Sequence, residues 1–194
     1  MIQNIKKISN NLKSKIYFDY NLGKLTWFRT GGNAKVLIIV ENSFELEIIL
    51  NEINNNNYYI LGGGSNILIR DKGYNGIVLK LGKEFNTIKI NEDKLEVGSS
   101  ILDINLSKFS IENNIEGFEF FSGIPGTIGG AIKMNAGCYG SETKDNIHSC
   151  EVYSKNGVKK ILYNSDLKMK YRSSNINDDQ IVTRAIFKYK LGSK

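Results

Sequence analysis

The chain has 194 residues, of which 41% are hydrophobic, so it can bury one sizeable core or two small ones and is too apolar to be disordered. Its formal net charge is +6, yet the lysines are scattered, which disfavours a nucleic-acid surface and suits small anionic ligands. The cysteines lack CxxC spacing and His148 is the only histidine, so no metal site or histidine-dependent triad is predicted, and the thiols are expected to be reduced.

The N-terminal segment predicts an amphipathic helix. Its apolar residues recur at helical spacing among lysines and asparagines, at Ile2, Ile5, Ile8 and Leu12. Neither this segment nor any other contains an apolar run of signal-peptide or membrane-spanning length. We therefore expect a cytoplasmic protein with no membrane partner.

A strand, a helix and three short strands are predicted next. The run KVLIIV (residues 35–40) is typical of a buried strand, and SFELEIILNEI (43–53) predicts a helix with Ser43 as its N-cap. Short apolar runs separated by glycine-containing turns then predict three strands: YYIL (58–61), ILIR (67–70) and IVLKL (77–81).

The second half of the chain continues the alternation. KLEVGS (94–99) predicts a strand, and residues 100–113 predict a helix with one apolar side. SCEVYSKNGVKKILY (149–163) predicts a hairpin, because its Asn156-Gly157 pair suits a two-residue turn with positive φ.

A final strand is predicted at QIVTRAIFKYK (180–190). Strands and helices alternate on both sides of residues 82–92, which carry no strong pattern of their own. The sequence therefore predicts an α+β protein of two subdomains, residues 1–85, which include the N-terminal helix, and residues 86–194.

Three glycines separate the first two of these short strands. We call the stretch the first glycine loop; it comprises Gly62, Gly63, Gly64, Ser65 and Asn66. Successive N–H groups in such a loop can form a concave anion site, and the missing Cβ atoms let a diphosphate come close. The loop matches neither the P-loop nor the dinucleotide-binding fingerprint, and a tight turn without a ligand is the alternative interpretation.

A second stretch, FFSGIPGTIGGAIKMNAGCYG (residues 120–140), which we call the second glycine segment, contains Pro125, the only proline of the chain. One glycine-rich stretch in each subdomain indicates a long ligand between them, with a phosphate middle and a flat ring. Pro125 would stiffen its stretch before the ligand arrives and so lower the ordering cost of binding.

Four motifs together resemble the UDP-N-acetylenolpyruvoylglucosamine reductase family, over nearly the whole chain from about Leu22 to Leu191. They are TWFRTGG (26–32), LGGGSNILI (61–69), SGIPGTIGGAIKMNAGCYG (122–140) and YRSS (171–174). The resemblance implies an FAD-binding fold of the vanillyl-alcohol-oxidase type, in which two α+β subdomains clasp FAD. It also implies NADPH as hydride donor and the enolpyruvyl ether of a UDP-sugar as substrate, in the synthesis of a peptidoglycan precursor.

The resemblance also assigns residues to the cofactor and the substrate. In the family, the backbone of the second glycine segment lies along the flavin and the diphosphate. The implied cofactor-binding residues are Gly62, Gly63, Gly64, Ser65, Asn66, Ser122, Ile124, Pro125, Gly126, Thr127, Gly129, Gly130, Asn135, Ala136, Gly137, Tyr139 and Ile181. Tyr171 and Arg172 match the substrate-binding pair of the YRSS motif, and the family's arginine polarises the substrate carboxylate, which makes Arg172 the implied catalytic residue. A surface ion pair of Arg172 with Asp178 or Asp179 is the alternative.

The resemblance is partial. The family's serine proton donor and a stabilising glutamate belong to a third, substrate-binding domain after the last strand, and this sequence ends at Lys194. Three explanations are open: a fragment of a longer protein, which we favour, a split enzyme with a separate partner, or a reduced redox module. We therefore expect the chain alone to bind FAD without turning over the UDP-sugar. A non-catalytic flavin- or nucleotide-binding module is the alternative function.

Overall fold

The computed structural model describes residues 2–53 and 56–192 of the chain. The helices of this part are α1 (Ile2–Ser9), α2 (Ser43–Ile53), α3 (Asp103–Glu112), α4 (Ile128–Met134), α5 (Thr143–Asn146) and α6 (Asn164–Leu167). The strands are β1 (Lys15–Asn21), β2 (Asn33–Val40), β3 (Tyr58–Ile60), β4 (Tyr74–Leu81), β5 (Ile88–Asn91), β6 (Lys94–Gly98), β7 (Ile115–Glu116), β8 (Gly137–Cys138), β9 (Ser141–Glu142), β10 (Ile147–Tyr153), β11 (Lys159–Tyr163), β12 (Ile181–Lys188) and β13 (Lys190–Leu191). Short 3-10 turns lie at Leu22–Leu25, Lys83–Phe85 and Glu119–Gly123.

The first sheet lies in the N-terminal part and has the strand order β1-β2-β4-β3. Strands β2, β4 and β3 run parallel, whereas β1 pairs antiparallel with β2. Helix α2 connects β2 to β3 and buries Leu46, Ile49 and Leu50 completely. The predicted strand, helix and strand between residues 35 and 61 are thus confirmed.

The predicted helix at the N-terminus is confirmed as α1. Ile5 is fully buried and Ile8 is half-buried in the apolar cluster between the first sheet and α2, which we call the cluster below α2. Leu12 follows the end of the helix. The side chain of Ile2 lies outside the described part of the chain. None of the described helices is both long and apolar enough to span a membrane.

The N-cap of α2 is Asn42, so the prediction of Ser43 is wrong by one residue. Asn42 Oδ1 accepts a hydrogen bond from the backbone N–H of Glu45 (2.8 Å), which is the bond an N-cap makes. The Ser43 hydroxyl instead donates to Glu84 Oε1 (2.7 Å). Both residue types cap helices well, so residue type alone does not distinguish between them.

The predicted strand at residues 67–70 is wrong. This segment joins no sheet, because β3 and β4 pair directly with each other. Ile67 and Ile69 cover one face of the first sheet instead, and Leu68 between them is exposed. The alternation of apolar side chains that suggested a strand therefore comes from an extended segment that lies across the sheet.

The second sheet is antiparallel and has the order β11-β10-β12-β6-β5. It confirms the predicted strand at residues 94–99, the hairpin and the final strand. Strand β5 was not predicted, since it is a four-residue edge strand whose side chains are mostly exposed.

The turn of the hairpin differs from the predicted type. Only Gly157 has positive φ (74°), and its N–H donates to Ser154 O (2.9 Å). Ser154 N in turn donates to Val158 O (3.0 Å), which encloses a three-residue loop rather than a two-residue one. Asn156 therefore needs no left-handed conformation.

The second glycine segment is partly helical, which was not predicted. It begins in the turn Glu119–Gly123, passes through an extended stretch and forms α4, with Ile128, Ala131 and Ile132 buried. Glycine at two of the seven helical positions lowers helix propensity, and the burial of the apolar side chains overrides that cost.

Two main apolar clusters form the core, and one of them crosses between the sheets. The larger lies between the second sheet, α3 and α4, where Phe118, Phe121 and Phe187 are fully buried. The other lies between the first sheet and α2, and it also includes Tyr153 and Ile181 from the second sheet. Part of the core of the first sheet is therefore supplied by the second half of the chain.

Both cysteines carry free thiols. Cys138 is half-exposed on β8, whereas Cys150 is fully buried on β10. Burial raises the pKa of the Cys150 thiol to about 12, so it stays protonated at neutral pH.

Candidate functional site

The first glycine loop follows β3 and is fixed by the segment near Trp27. Trp27 N donates to Gly64 O (3.0 Å), and Leu61 N donates to Leu79 O (2.8 Å) at the start of the loop. Gly64 has a φ of +69°, and a Cβ at this position would overlap the carbonyl oxygen of Leu25. The TWFRTGG motif thus holds the first glycine loop in place through backbone contacts.

The structure brings the two glycine-rich stretches together. Residues 124–127 of the second glycine segment, which we call the Pro125 loop, lie against the first glycine loop. Ser65 Oγ donates to Pro125 O (2.6 Å), and a Cβ built on Gly63 would lie 3.4 Å from Gly126. At Gly63, the first glycine loop therefore presents bare backbone to the Pro125 loop, and at Ser65 a hydroxyl links the two loops.

Seven backbone N–H groups in these two loops have no acceptor. Within residues 2–53 and 56–192, no hydrogen bond is donated by the amides of Gly62, Gly63, Gly64, Ser65, Asn66, Gly126 or Thr127. Backbone N–H groups are normally bonded in a folded protein, so adjoining free donors indicate a place for an anionic ligand.

Several carbonyl groups of the two loops are anchored by hydrogen bonds. Lys80 Nζ donates to Gly62 O (2.6 Å), Ser65 Oγ holds Pro125 O, and Asp103 N donates to Gly126 O (3.2 Å). In a trans peptide the C=O and the following N–H point in opposite directions. Anchoring these carbonyls therefore turns the next N–H groups away from the anchors.

Lys80 is a site residue that the sequence analysis missed. It lies on β4, its side chain is largely buried, and burial lowers the pKa of its ammonium. The one signal in the sequence was a lysine inside the apolar run IVLKL, which suggests a charge that needs a partner.

Asp103 was missed as well. It is the first residue of α3 and is 1% exposed. Burial raises the pKa of its carboxyl group to about 7. An aspartate at the start of a helix normally suits the helix dipole at the surface, so no local pattern indicates that this one is buried.

The remaining predicted residues of the second glycine segment before Asn135 differ in burial and in their contacts. Gly129 N donates to Ser99 O (2.9 Å), and a Cβ on Gly129 would lie 3.1 Å from the Cβ of Ser99, so this glycine lets α4 approach the end of β6. Ile124 is half-buried, whereas Ser122 and Gly130 are exposed.

Asn135 to Gly137 already make bonds within the protein. The buried Asn135 side chain donates to Glu142 Oε2 (2.9 Å) and to Lys170 O (3.0 Å), and its Oδ1 accepts from a backbone N–H (3.0 Å). The N–H of Ala136 donates to Ala131 O (2.8 Å). These residues shape the turn after α4, and their bonded groups differ from the free amides of the two loops.

Arg172 lies on the surface beside this turn. Its Nη2 donates to Gly137 O (3.1 Å), and its guanidinium carbon is 5.2 Å from the centre of the Tyr171 ring. Tyr171 and Tyr139 are both largely exposed. The structure thus groups Tyr171 and Arg172 with the end of the second glycine segment.

Neither aspartate considered as a partner of Arg172 forms an ion pair with it in the part of the chain that the structure describes. Asp178 forms an ion pair with Lys133 (2.8 Å), and the backbone carbonyl of Asp179 accepts a hydrogen bond from the Tyr58 hydroxyl (2.6 Å). The Arg172 guanidinium is therefore held by a carbonyl and an aromatic ring.

Ile181 is separate from the other predicted cofactor residues. It begins β12, and its side chain is completely buried in the cluster below α2. Only its backbone could meet a ligand.

No group of three or more His, Cys, Asp or Glu side chains that could hold a metal ion occurs in the part of the chain that the structure describes.

The geometry fits an anionic group such as a diphosphate. Free amides in two touching loops can bind phosphate oxygens without a lysine in contact, and the glycines leave room for the ligand. A family model described as an FAD binding domain matches residues 34–161, which include the first glycine loop, the Pro125 loop and Asp103.

Similar proteins carry the name that the four motifs indicated. UDP-N-acetylenolpyruvoylglucosamine reductase of Pelagibacter ubique (strain HTCC1062) is 44% identical over 189 residues, which cover 96% of this chain and 63% of that protein. The protein of the same name from Rickettsia typhi (strain ATCC VR-144 / Wilmington) is 46% identical over 184 residues, with 93% and 62% covered. The chain thus spans less than two thirds of the length of these relatives.

Solved structures confirm the α+β fold. The crystal structure of the reductase of the same name from Thermus caldophilus superposes with a TM-score of 0.81 at 31% identity, covering 94% of this chain and 64% of that one. Physcomitrella patens BBE-like 1 shares the fold at a TM-score of 0.71 and 16% identity, over 96% of this chain and 44% of its own. The motifs, the paired glycine loops and the match over residues 34–161 agree: the chain belongs to the FAD-binding domain family.

Proposed function

We propose that the chain is the FAD-binding portion of an NADPH-dependent reductase that converts UDP-N-acetylglucosamine enolpyruvate to UDP-N-acetylmuramate, a step of peptidoglycan synthesis. The observation that carries the proposal is the set of seven free backbone N–H groups in two touching loops. The relatives named above support the choice of substrate, because they are reductases of that compound by name.

The two loops would bind the diphosphate of FAD. Their N–H groups replace the water that solvates the phosphate oxygens, and the backbone needs no rearrangement because its carbonyls are already anchored. FAD, when bound, supplies hydride transfer from NADPH to the carbon–carbon double bond of the enolpyruvyl ether, and a proton completes the product while NADPH becomes NADP⁺. The protein's part is to hold the cofactor, orient the substrate and stabilise developing charge.

Arg172 would act on the substrate. A guanidinium fixed by Gly137 O and the Tyr171 ring can present its free donors to a carboxylate without losing side-chain freedom on binding. As hydride is added, negative charge grows toward that carboxylate, and a preorganised cation stabilises it. Tyr171 lies beside it and would contact the same ligand.

The arrangement of the chain supports further parts of the proposal. We divide it into two FAD-binding subdomains, residues 1–85 and 86–194, because each range contributes one large sheet and one glycine-rich loop. A cytoplasmic location suits the free thiols Cys138 and Cys150 and a reaction that uses NADPH. A substrate-binding domain, in the same protein or as a separate partner, would supply the proton donor and the rest of the UDP-sugar surface.

Binding of FAD tests the site directly. In a titration followed by flavin fluorescence, we expect the Gly63→Val variant to bind at least tenfold more weakly than the wild type, because the valine side chain fills the space between the loops. Lys133→Ala is the control, since Lys133 is held by Asp178 and the carbonyl of Ile176 outside the loops. Full affinity in Gly63→Val with loss of FAD in Lys133→Ala would refute the amide site.

Arg172 is tested through the substrate. Adding the enolpyruvyl UDP-sugar to the flavin-loaded protein should perturb the flavin spectrum, and Arg172→Ala should weaken that response at least tenfold while the protein stays yellow. Arg172→Lys should recover part of it, because the charge remains and the fork of donors does not. A wild-type protein that binds FAD but shows no response and no substrate-dependent NADPH oxidation in any assembly would favour a non-catalytic flavin-binding module.

A further inference from the structure

Asp103 is a buried ionisable group that the proposed function does not use. Its side chain is 1% exposed, and neither carboxyl oxygen accepts a hydrogen bond within the described ranges 2–53 and 56–192. A carboxylate that is buried without a partner is costly, and most buried polar groups have one. This group therefore needs a physical explanation.

The carboxyl group lies directly behind the Pro125 loop. Asp103 N donates to Gly126 O (3.2 Å), and a Cβ built on Gly126 would lie 2.9 Å from Asp103 Oδ2. Because Gly126 has no side chain, nothing stands between the carboxyl group and the backbone of that loop. The free N–H groups of Gly126 and Thr127 belong to the same short stretch.

In the described part of the chain, the neighbouring elements bring no unpaired opposite charge to this group, and Lys133 of α4 is paired with Asp178. The first glycine loop and the Pro125 loop contain no ionisable side chain. On α3, Lys108 and Glu112 are exposed, and Glu119 is exposed on the adjoining turn. The ammonium of Lys80 is taken up by the carbonyl of the first glycine loop. Burial alone accounts for the raised pKa of Asp103, which lies at about 7.

We propose that Asp103 is a positioning residue of the diphosphate site and must carry a proton while the anion is bound, so that FAD binding takes up a proton above neutral pH. This inference rests on the proposed function, because it needs an anion at the Pro125 loop. An ionised carboxylate there would repel the diphosphate, whereas a neutral carboxyl group would not, and its O–H could also donate a hydrogen bond.

The direction of the pH dependence follows from the repulsion between the ionised Asp103 carboxylate and the diphosphate. The bound anion disfavours the ionised carboxylate, so it raises the pKa of Asp103 beyond its value in the free protein. Below pH 7 the group is already protonated, and the affinity for FAD is constant. Above pH 7 each binding event must draw a proton from solution, so the affinity falls as pH rises.

The test is the dissociation constant of FAD measured by fluorescence titration between pH 6 and about 8.5. For the wild type we expect a constant value at the acid end and a weakening that approaches about tenfold for each pH unit above 7. Asp103→Asn, which is neutral throughout, should bind at the tight value over the whole range. Calorimetry of the unmodified protein in buffers of different ionisation enthalpy should show proton uptake at pH 8, and this measurement does not depend on the variant's folding.

His148→Gln is the matched control, because it removes the only histidine of the chain. It lies on β10 with its ring against Tyr163 (5.8 Å), and the pH dependence should survive its removal. FAD binding with a flat wild-type profile and no proton uptake would overturn the inference alone. A folded Asp103→Asn variant that binds no FAD at any pH would also overturn it, because the ionised carboxylate of Asp103 would then be required for binding. Absence of FAD binding by the wild type at any pH would overturn the proposed function as well.

Discussion

Adjacent glycines of the first glycine loop are needed for different reasons. Gly64 adopts a φ of +69°, and a Cβ there would overlap the carbonyl of Leu25. Gly63 has no such conflict, since a Cβ added to it would lie at an ordinary contact distance of 3.4 Å from Gly126. The fold therefore requires glycine at 64, whereas at 63 the requirement comes from the proposed ligand.

Stability separates these two roles. Gly64→Ala should lower the free energy of unfolding by about 2 to 4 kcal/mol in the absence of FAD, because it combines a strained φ with a steric overlap. Gly63→Ala should change it by less than about 1 kcal/mol. Urea unfolding of the two variants measures the difference, and equal losses would show that the loop can move away from Leu25.

The elements that the sequence predicted well are those with long apolar patterns. β2, α2 and β12 each bury a continuous or periodic apolar face, so their pattern reflects the environment that they meet. Helix α3 was predicted as well, although its buried side is mostly polar and includes Asp103, Ser107 and Ser110. The segment at 67–70 has a similar pattern for a different reason, since it lies across a sheet instead of joining one. A short pattern does not distinguish these two cases.

The candidate site was predictable in its glycines and less so in its charged residues. Glycine-rich stretches in a fixed order identify the backbone that a cofactor can approach, and the structure brings the first glycine loop and the Pro125 loop into contact. Lys80 and Asp103 depend on what lies behind those loops, which no local pattern encodes. Asn135 and Ile181 were assigned to the cofactor by resemblance, and their side chains are used by the turn after α4 and by the core.

The anchor on β4 leads to a prediction at the level of this element. Lys80→Met removes the hydrogen bond to Gly62 O and leaves that carbonyl without its anchor. Without this anchor the loop is less ordered before FAD arrives, so it must become ordered on binding. FAD binding should therefore weaken by about 1 to 2 kcal/mol, or roughly tenfold, which is the scale of a hydrogen bond from a charged donor.

Lys83→Met is the matched control for Lys80→Met. It removes the same charge from an exposed position just beyond β4, so general electrostatic attraction of the anionic cofactor changes equally. Fluorescence titration at two salt concentrations distinguishes the effects. Equal losses in both variants, which disappear at high salt, would contradict a specific role of Lys80.

The molecule as a whole is tied together by contacts that cross the proposed division at residue 85. Tyr153 and Ile181 lie in the cluster below α2, and the hydroxyl of Tyr58 on β3 donates to Asp179 O (2.6 Å) just before β12. The first sheet therefore does not complete its core from residues 1–85 alone. We expect a single unfolding transition, because neither half keeps its packing without the other.

Ile181 tests this joint core. Ile181→Ala should lower the free energy of unfolding by about 2 to 5 kcal/mol, and circular dichroism and the fluorescence of Trp27 should report the same midpoint. Ile161→Ala on β11 is the control, since Ile161 is half-exposed and should cost less than about 1 kcal/mol. Two separate midpoints in either protein would mean that the subdomains unfold independently.

The unequal surroundings of the two thiols make the protein suited to selective labelling. Cys150 is shielded and stays protonated, whereas Cys138 is half-exposed, and its sulphur would lie 2.8 Å from a Cβ on Gly123, at the edge of the Pro125 loop. A maleimide dye would therefore attach at one place without any introduced cysteine. That dye would sit beside the space where the flavin is proposed to lie, so energy transfer between them would report cofactor arrival and departure in real time.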